Sequence, residues 1–515
     1  MRLLQTHPAL SRLRARRRGQ PSYSFPIWRI GFLFPMSQFA RTSILILAVA
    51  LTFLFVSPLY RRSAVVACDP SEQPDLVIVQ TPLLQQGNLS QRFPQGSRLL
   101  RLSQDGSPKN LTADFFAAAD PRVSFDCLHV LFAGKKSAET SWQIWEMDID
   151  GSHARQITHC PDDCLKPAYL PRGDIVFTAV NERPVAAASQ LWVSKTDGSG
   201  ATQITFGPGD FQVETVLSNG MILATASAPL LPSTGKPADR QLYTLRPDGS
   251  GLTAFRCDHD HPAIRTQAEE LADGSVVFVK KPLEGGRPGG ELAWIRRGAL
   301  HNAPLTLSSV AALSPQPLAA GSLVVARATG TTVKAQSDFG LYAFDTAQSK
   351  FGKLIYAVPH VPTVAAVPLA AHEPPRWYWS TLNPKLQIGY FICMDSYMAE
   401  GAPHGRLDAA LSKVRVLMLE GQRETNLGEA PVEKDGSFYI AVPPDKPVRF
   451  ELIDAAGHVV RAQRSWIWAR SGDEHGCVGC HEDRAIAPEN RWPMALRRFD
   501  TPTRLGVSDA IQPAH

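Results

Sequence analysis

Between residues 70 and 375 the chain alternates short apolar runs with polar turns on one recurring pitch. Asp105-Gly106, Asp150-Gly151, Asp197-Gly198 and Asp248-Gly249 follow one another at spacings of 45, 47 and 51 residues. Each pair is preceded by a short apolar run: Leu102-Ser103-Gln104, Ile144-Trp145-Glu146-Met147, Leu191-Trp192-Val193 and Leu242-Tyr243-Thr244-Leu245. In three of the four, a polar stretch then ends in an aliphatic residue and threonine, at Leu111-Thr112, Ile157-Thr158 and Ile204-Thr205. Glycine tolerates the positive φ of a tight turn, so Asp-Gly between two such runs predicts a hairpin. Fainter copies sit at Leu292-Ala293-Trp294-Ile295 with Gly298 and at Leu341-Tyr342-Ala343-Phe344 with Asp345. A second recurring phrase lies between the hairpins, as in Pro171-Arg172-Gly173 before Ile175-Val176-Phe177 and Ala272-Asp273-Gly274 before Val276-Val277-Phe278. Six units of 45 to 51 residues, each of several short strands, predict a mainly β fold beginning with a six-bladed β-propeller over 70–375. An irregular sandwich is the alternative, but it has no reason to keep one period through all the copies.

Pro374-Pro375-Arg376 ends the period. Beyond it, alternating runs at 386–393, 414–421 and 437–443, with a turn at Lys434-Asp435-Gly436, predict a small β-sandwich-like domain over 376–505, followed by a tail, 506–515. Before the period lies a leader, 1–68. It holds eight arginines up to Arg41 and no acid before Asp69, with an uncharged stretch, Thr42 to Tyr60, whose apolar centre is 44–56. Thirteen residues, apolar but for Thr52, suit a signal core better than a full span, although 42–60 is long enough to cross a thin bilayer. Basic residues ahead of the apolar stretch place the bulk of the chain outside the cytoplasm, in a bacterial periplasm. Val65-Val66-Ala67-Cys68 resembles a lipobox, and Arg61 and Arg62 depart from that pattern, so cleavage, lipidation at Cys68 and retention as a membrane anchor all stay open. Met36 is an alternative start to Met1.

The formal charge of +5 is concentrated in this leader, and the remainder is slightly acidic. That excludes a nucleic-acid surface. An apolar content of 44% with 20% charged residues describes an ordinary globular chain.

Candidate chemistry concentrates at Cys477-Val478-Gly479-Cys480-His481. Two cysteines a turn apart followed at once by histidine form the c-type haem attachment pattern: Cys477 and Cys480 supply two thioether links, and His481 is the proximal ligand to the haem iron. One covalent haem c is expected. The competing reading is a zinc knuckle or redox dithiol, for which zinc needs four ligands and only His475 stands nearby. Met394, Met398, His404 and Met494 are candidate distal ligands, while Trp466, Trp468 and Arg484 are candidates to pack the haem or meet a propionate. His159-Cys160-Pro161-Asp162-Asp163-Cys164 reads as a disulfide, free thiols or a metal site. Cys257-Asp258-His259-Asp260-His261 reads as a solvated loop, with His259 and His261 capable of ligation.

The propeller phrases, Leu191 to Gly198 among them, resemble TolB-like repeats. Val432-Glu433-Lys434-Asp435-Gly436-Ser437-Phe438, Ser465-Trp466-Ile467 and Gly476-Cys477-Val478-Gly479-Cys480-His481-Glu482-Asp483-Arg484 are similar to the hydrazine synthase alpha subunit family, in its propeller and its haem-bearing middle domain. The resemblance implies an oxidoreductase acting on a small nitrogen compound. In that family a tyrosine four residues after the motif histidine ligates the iron and the motif histidine turns to a zinc. Here that position is Ala485, which leaves His481 as the iron ligand and argues against hydrazine-forming chemistry. The family's second haem domain has no counterpart in the 34 residues after His481. A methionine or histidine on the distal side makes an electron carrier with a redox partner protein, and an open side admits a small-molecule ligand. The expectation is an extracytoplasmic c-haem protein with a propeller platform for electron transfer. The alternatives are the haem oxidoreductase and a non-redox propeller module with a zinc site.

Overall fold

A computed structural model describes residues 74–85, 89–181, 188–227, 239–255, 262–283, 288–296, 305–318, 321–329, 338–399, 402–421, 423–463, 465–479 and 489–507. The leader, Cys68, the 257–261 cluster, Cys480, His481, Arg484 and Ala485 lie outside the described residues.

The periodic region folds as a succession of antiparallel meanders. β1 (Leu76–Gln80), β2 (Arg98–Leu102) and β3 (Pro108–Asn110) open it. β4 (Ala117–Val123), β5 (His129–Lys135), β6 (Gln143–Asp148) and β7 (Arg155–Gln156) follow, then β8 (Asp163–Leu170), β9 (Asp174–Asn181), β10 (Ala188–Lys195) and β11 (Thr202–Gln203). The same up-and-down order continues in β12 (Asp210–Val216), β13 (Ile222–Ser227), β14 (Arg240–Leu245) and β15 (Thr253–Ala254). One parallel pair, Arg240 with Ile264, joins β14 to β16 (Ile264–Glu270), which leads through β17 (Val276–Lys281) and β18 (Gly290–Ile295) to β19 (Leu305–Pro317). β19 pairs with β18 from Leu305 to Ala312 and with β20 (Ser322–Ala328) from Ala312 to Pro317, so one strand serves two meanders. β21 (Phe339–Asp345) and β22 (Lys350–Tyr356) follow. β23 (Thr363–Pro368) then returns to pair with β1, Leu76 opposite Pro368. This last pairing completes the first sheet with the final strand and removes the exposed edges that an open array would present.

Each Asp-Gly of the sequence pattern is the turn before the short outer strand of a meander. Gly106, Gly151, Gly198 and Gly249 take φ of 82–90°, and each donates its N–H to the carbonyl three residues back, at 2.9 Å. The aspartate Oδ1 accepts the N–H of the serine two residues on, at 2.8–3.0 Å in all four. The trailing threonines have a matching task. Thr112, Thr158 and Thr205 accept the buried N–H of Leu99, Ile144 and Leu191 at 2.8–2.9 Å. Neighbouring units interlock through the same pieces: a β-carbon on Gly198 would lie 2.3 Å from the Ile157 carbonyl, and one on Gly249 2.3 Å from that of Ile204.

The C-terminal domain is a sandwich. One sheet has the order β30 (Glu474–Cys477), β24 (Gly389–Cys393), β27 (Phe438–Val442), β31 (Thr503–Arg504). The other has the order β26 (Arg423–Pro431), β25 (Lys413–Glu420), β28 (Val448–Ile453), β29 (Val459–Ala462). Alternating inward residues, among them Val414, Val416, Phe391, Phe438, Ile440 and Phe450, fill the space between them. Trp468 leaves this domain and plugs into the propeller. Its ring lies edge-on to Phe206 and Phe211 at 6.0 and 5.7 Å, and its Nε1 donates to the Gly249 carbonyl at 3.1 Å. Burying such a ring removes roughly 150–250 Å² from water, about 4–6 kcal/mol before chain entropy.

Candidate functional site

The haem motif begins at the end of β30, the edge strand of its sheet. β30 runs parallel to β24, with Phe391 opposite His475 and Cys393 opposite Cys477. His475 packs its ring on Phe391 at 5.4 Å, and Cys477 is half-buried against the sandwich core. Neither Cys393 nor Cys477 is in a disulfide. On the other face of the strand, exposed Glu474 accepts a hydrogen bond from Tyr439, whose ring lies 6.0 Å from Tyr390. Burial first, and then the Glu474 charge, push the Tyr439 hydroxyl up to about 12.

Beyond Cys477 the chain is held in a narrow seat. The N–H groups of Met394 and Asp395 donate to the carbonyls of Cys477 and Val478 at 2.9 and 3.0 Å. Gly479 follows, buried, where a β-carbon would stand 2.6 Å from the Met398 carbonyl and 2.7 Å from its β-carbon. Only glycine passes beneath that turn. The turn itself is pinned by Asp395, 3% exposed, whose carboxylate takes the Arg406 guanidinium at 2.8 Å and lies 3.6 Å from that of Arg491. Ser396 donates through both its N–H and its hydroxyl to the Gly436 carbonyl, at 2.8 and 2.7 Å. Gly436, at φ 82°, leaves no room for a side chain beside Asp395. Burial works to raise the Asp435 carboxyl, but hydrogen bonds from Ser437 and the Met494 N–H, with the Arg491 charge, hold it below the usual range. The Val432–Phe438 phrase is therefore the base on which the motif's seat rests.

Asp473, one residue before β30, is more than half-buried. Burial raises its carboxyl, and among the described residues its Oδ2 has no hydrogen-bond partner. Among the distal candidates, Met398 is buried as the backing of Gly479, Met394 is spliced to Cys477 through the backbone, His404 is exposed at φ 54°, and Met494 starts a short 3-10 turn on Asp435. Trp468 belongs to the propeller contact, and Trp466 lies under the Arg449 guanidinium at 5.7 Å.

Three cysteines of the propeller, Cys127, Cys160 and Cys164, are among the described residues. Cys160 and Cys164 are thiols hydrogen-bonded to each other: the bond from Cys164 draws Cys160 down to about 7, while that bond and burial push Cys164 up. His159 meets Gln156 at 3.1 Å. Among the described residues no group of three or more histidine, cysteine or carboxylate side chains is placed to hold a metal. Cys127, which the sequence pattern does not single out, is disulfide-bonded.

These features suit a covalently held haem. Among the described residues a half-buried thiol stands at the end of an edge strand, and a tightly packed glycine follows it in the sequence before the second cysteine and the histidine.

Residues 408–482 match the model of the hydrazine synthase alpha subunit middle domain. Over 105 residues the chain is 35% identical to hydrazine synthase subunit alpha of Kuenenia stuttgartiensis, a match covering 19% of this chain and only 13% of that protein. The fold is similar to that of the solved Kuenenia stuttgartiensis hydrazine synthase, with a TM-score of 0.73 at 21% identity over 84% of this chain and 72% of that one. TolB from Acinetobacter baumannii is a more distant likeness, with a TM-score of 0.42 at 15% identity over 57% of this chain and 66% of that one.

Proposed function

We propose, from the premise that this chain is a hydrazine synthase alpha-like protein, that it is an extracytoplasmic protein carrying one covalent haem c and passing electrons. The observation that supports this most is the seat of the motif, Cys477 at an edge-strand end followed by a passage only Gly479 fits. Cys477 and Cys480 would hold the haem and His481 would ligate its iron. Bound there, the group supplies one-electron redox chemistry. The chain's own contribution is to orient that site: Asp395, Arg406 and Arg491 fix the turn against which the motif lies, and Phe391 holds His475 on the core side. The Arg-rich leader and the Cys127 disulfide support a location outside the cytoplasm. Because the curated relative is by name a subunit, the partner proposed for this chain is a protein.

A second reading, an oxidoreductase acting on a small nitrogen compound, is favoured by the relatives' names. Ala485 stands where the family's ligand tyrosine would be and weighs against hydrazine formation itself. Optical and paramagnetic resonance spectra separate the two, taken on the full chain from a host with c-haem maturation, oxidised and reduced, with His481→Ala as reference. Electron transfer predicts low-spin, six-coordinate iron that turns high-spin in the variant. High-spin wild-type iron that binds NO or CO would overturn it in favour of the enzyme. Absence of covalent haem would overturn both and leave a zinc-holding module.

A further inference from the structure

The inner wall of the propeller carries a feature that repeats with its units and that haem binding does not use. The innermost strands of successive meanders all break register near mid-strand, between Ala119 and Arg122, Leu165 and Ala168, Val213 and Thr215, Thr266 and Glu269, and Leu313 and Gln316. At four of these bulges a residue with a side chain takes left-handed backbone: Asp120 at φ 51°, Lys166 at 48°, Gln267 at 55° and Ser314 at 45°. Such conformations are disfavoured for every residue but glycine, and a bulge re-aims the side chain it carries. All four residues line one central cavity of about 410 Å³, the size of a small-molecule site.

The charges on that wall do not cancel. Lys166 pairs with Glu214 at 2.6 Å, Arg92 with Asp120 at 2.8 Å, and Arg122 with Glu269, which uses every carboxylate lining the cavity. Arg240 is taken by Asp210, outside the lining. Lys281 remains. Among the described residues no carboxylate lies within ion-pair distance of its ammonium, and it stands beside the charge of Arg92. An uncompensated cation on a partly desolvated wall calls for an anion. The rest of the wall supplies neutral polar groups, Gln267 hydrogen-bonded to Ser314 at 3.1 Å, and apolar ones, Leu89, Phe93 and Leu313.

From this arrangement we propose that the propeller's central cavity is a binding site for a small monocarboxylate, its carboxylate on Lys281 and its short apolar part against Leu89, Phe93 and Leu313. Burial, and then Arg92, depress the Lys281 ammonium, and a bound carboxylate opposes both. The site is independent of the haem motif.

Titration calorimetry of the full chain with acetate, propionate and butyrate at constant ionic strength tests this, with chloride and inorganic phosphate as comparison anions. Saturable binding of a monocarboxylate is expected, at least about tenfold weaker in Lys281→Met and unchanged in Lys280→Met, whose side chain is not part of the lining. Binding that survives Lys281→Met, or heats equal to those of chloride, would overturn the proposal, as would no heat with any of the three acids. Saturation transfer from the wild-type protein to the methyl protons of propionate provides a readout that does not depend on the variant folding. Its presence supports the site and its absence refutes it.

Discussion

In the propeller one set of interactions is used several times over. An Asp-Gly-Ser turn recurs at Asp105, Asp150, Asp197 and Asp248 with nearly constant distances; a trailing threonine accompanies the first three, and a close approach of the turn glycine to the preceding unit accompanies the last three. In the C-terminal sandwich the same turn occurs once, at Asp435-Gly436-Ser437, with Ser437 N–H donating to Asp435 at 3.0 Å. There the turn is built into a unique arrangement, with Asp395, Arg491 and Met494 all converging on it. Repetition distributes a structural task over copies, whereas the single copy has become the footing of the candidate redox site. The first arrangement should tolerate change at any one position in the same way each time, and the second should not.

The largest expected effect lies where the two regions meet. Trp468→Ala should cost about 3–5 kcal/mol, as large-to-small changes of buried aromatics do. It should also separate the unfolding of propeller and sandwich in denaturant, followed by far-ultraviolet dichroism and tryptophan fluorescence; an unchanged single transition would contradict the plug. Within the sandwich, Gly479→Ala should cost roughly 1–3 kcal/mol through overpacking against Met398 and lower the fraction of chains carrying covalent haem. Gly476→Ala, with nothing within 4 Å of its added carbon, should leave haem incorporation unchanged. Within the propeller, Thr158→Val and Thr205→Val each strand a buried N–H and should each cost about 1–3 kcal/mol. The two losses should agree closely, and widely unequal losses would show that the repeats are alike in sequence but not in energetics.

The smallest effect is a titration. Tyr439 keeps its proton to about 12 in the folded chain, above its ordinary value of 10. The unfolded chain therefore loses that proton first, and the associated stability, intact below pH 10, is lost as the pH rises from about 10 to about 12. Tyr439→Phe should abolish this component of the alkaline unfolding curve and remove one late-ionising phenol from the ultraviolet titration.

Much of this was legible in the chain itself. The period is visible because tight turns demand glycine and because strands alternate, so Gly106, Gly151, Gly198 and Gly249 announce their turns. Cys477, Cys480 and His481 are equally plain because the pattern proposed to hold a haem has a fixed spacing. The inner-wall bulges left no such trace, because Asp120, Lys166, Gln267 and Ser314 adopt left-handed backbone without being glycine. Trp468 reads as a companion of the nearby motif, yet its hydrogen-bond partner, Gly249, is 219 residues away. Asp395 carries no local signal either: its role comes from strand pairing that brings 395, 436 and 478 together.

The central claim is that Cys477 and Cys480 hold one haem by thioether links. The most direct measurement is the pyridine haemochrome of the full chain, purified under denaturing conditions from a host with c-haem maturation and compared with the intact mass. One haem per chain, retained through denaturation and lost in the Cys477→Ser, Cys480→Ser double variant, is the predicted result. A wild-type chain with no covalent haem, or one whose haem survives loss of both cysteines, would contradict it.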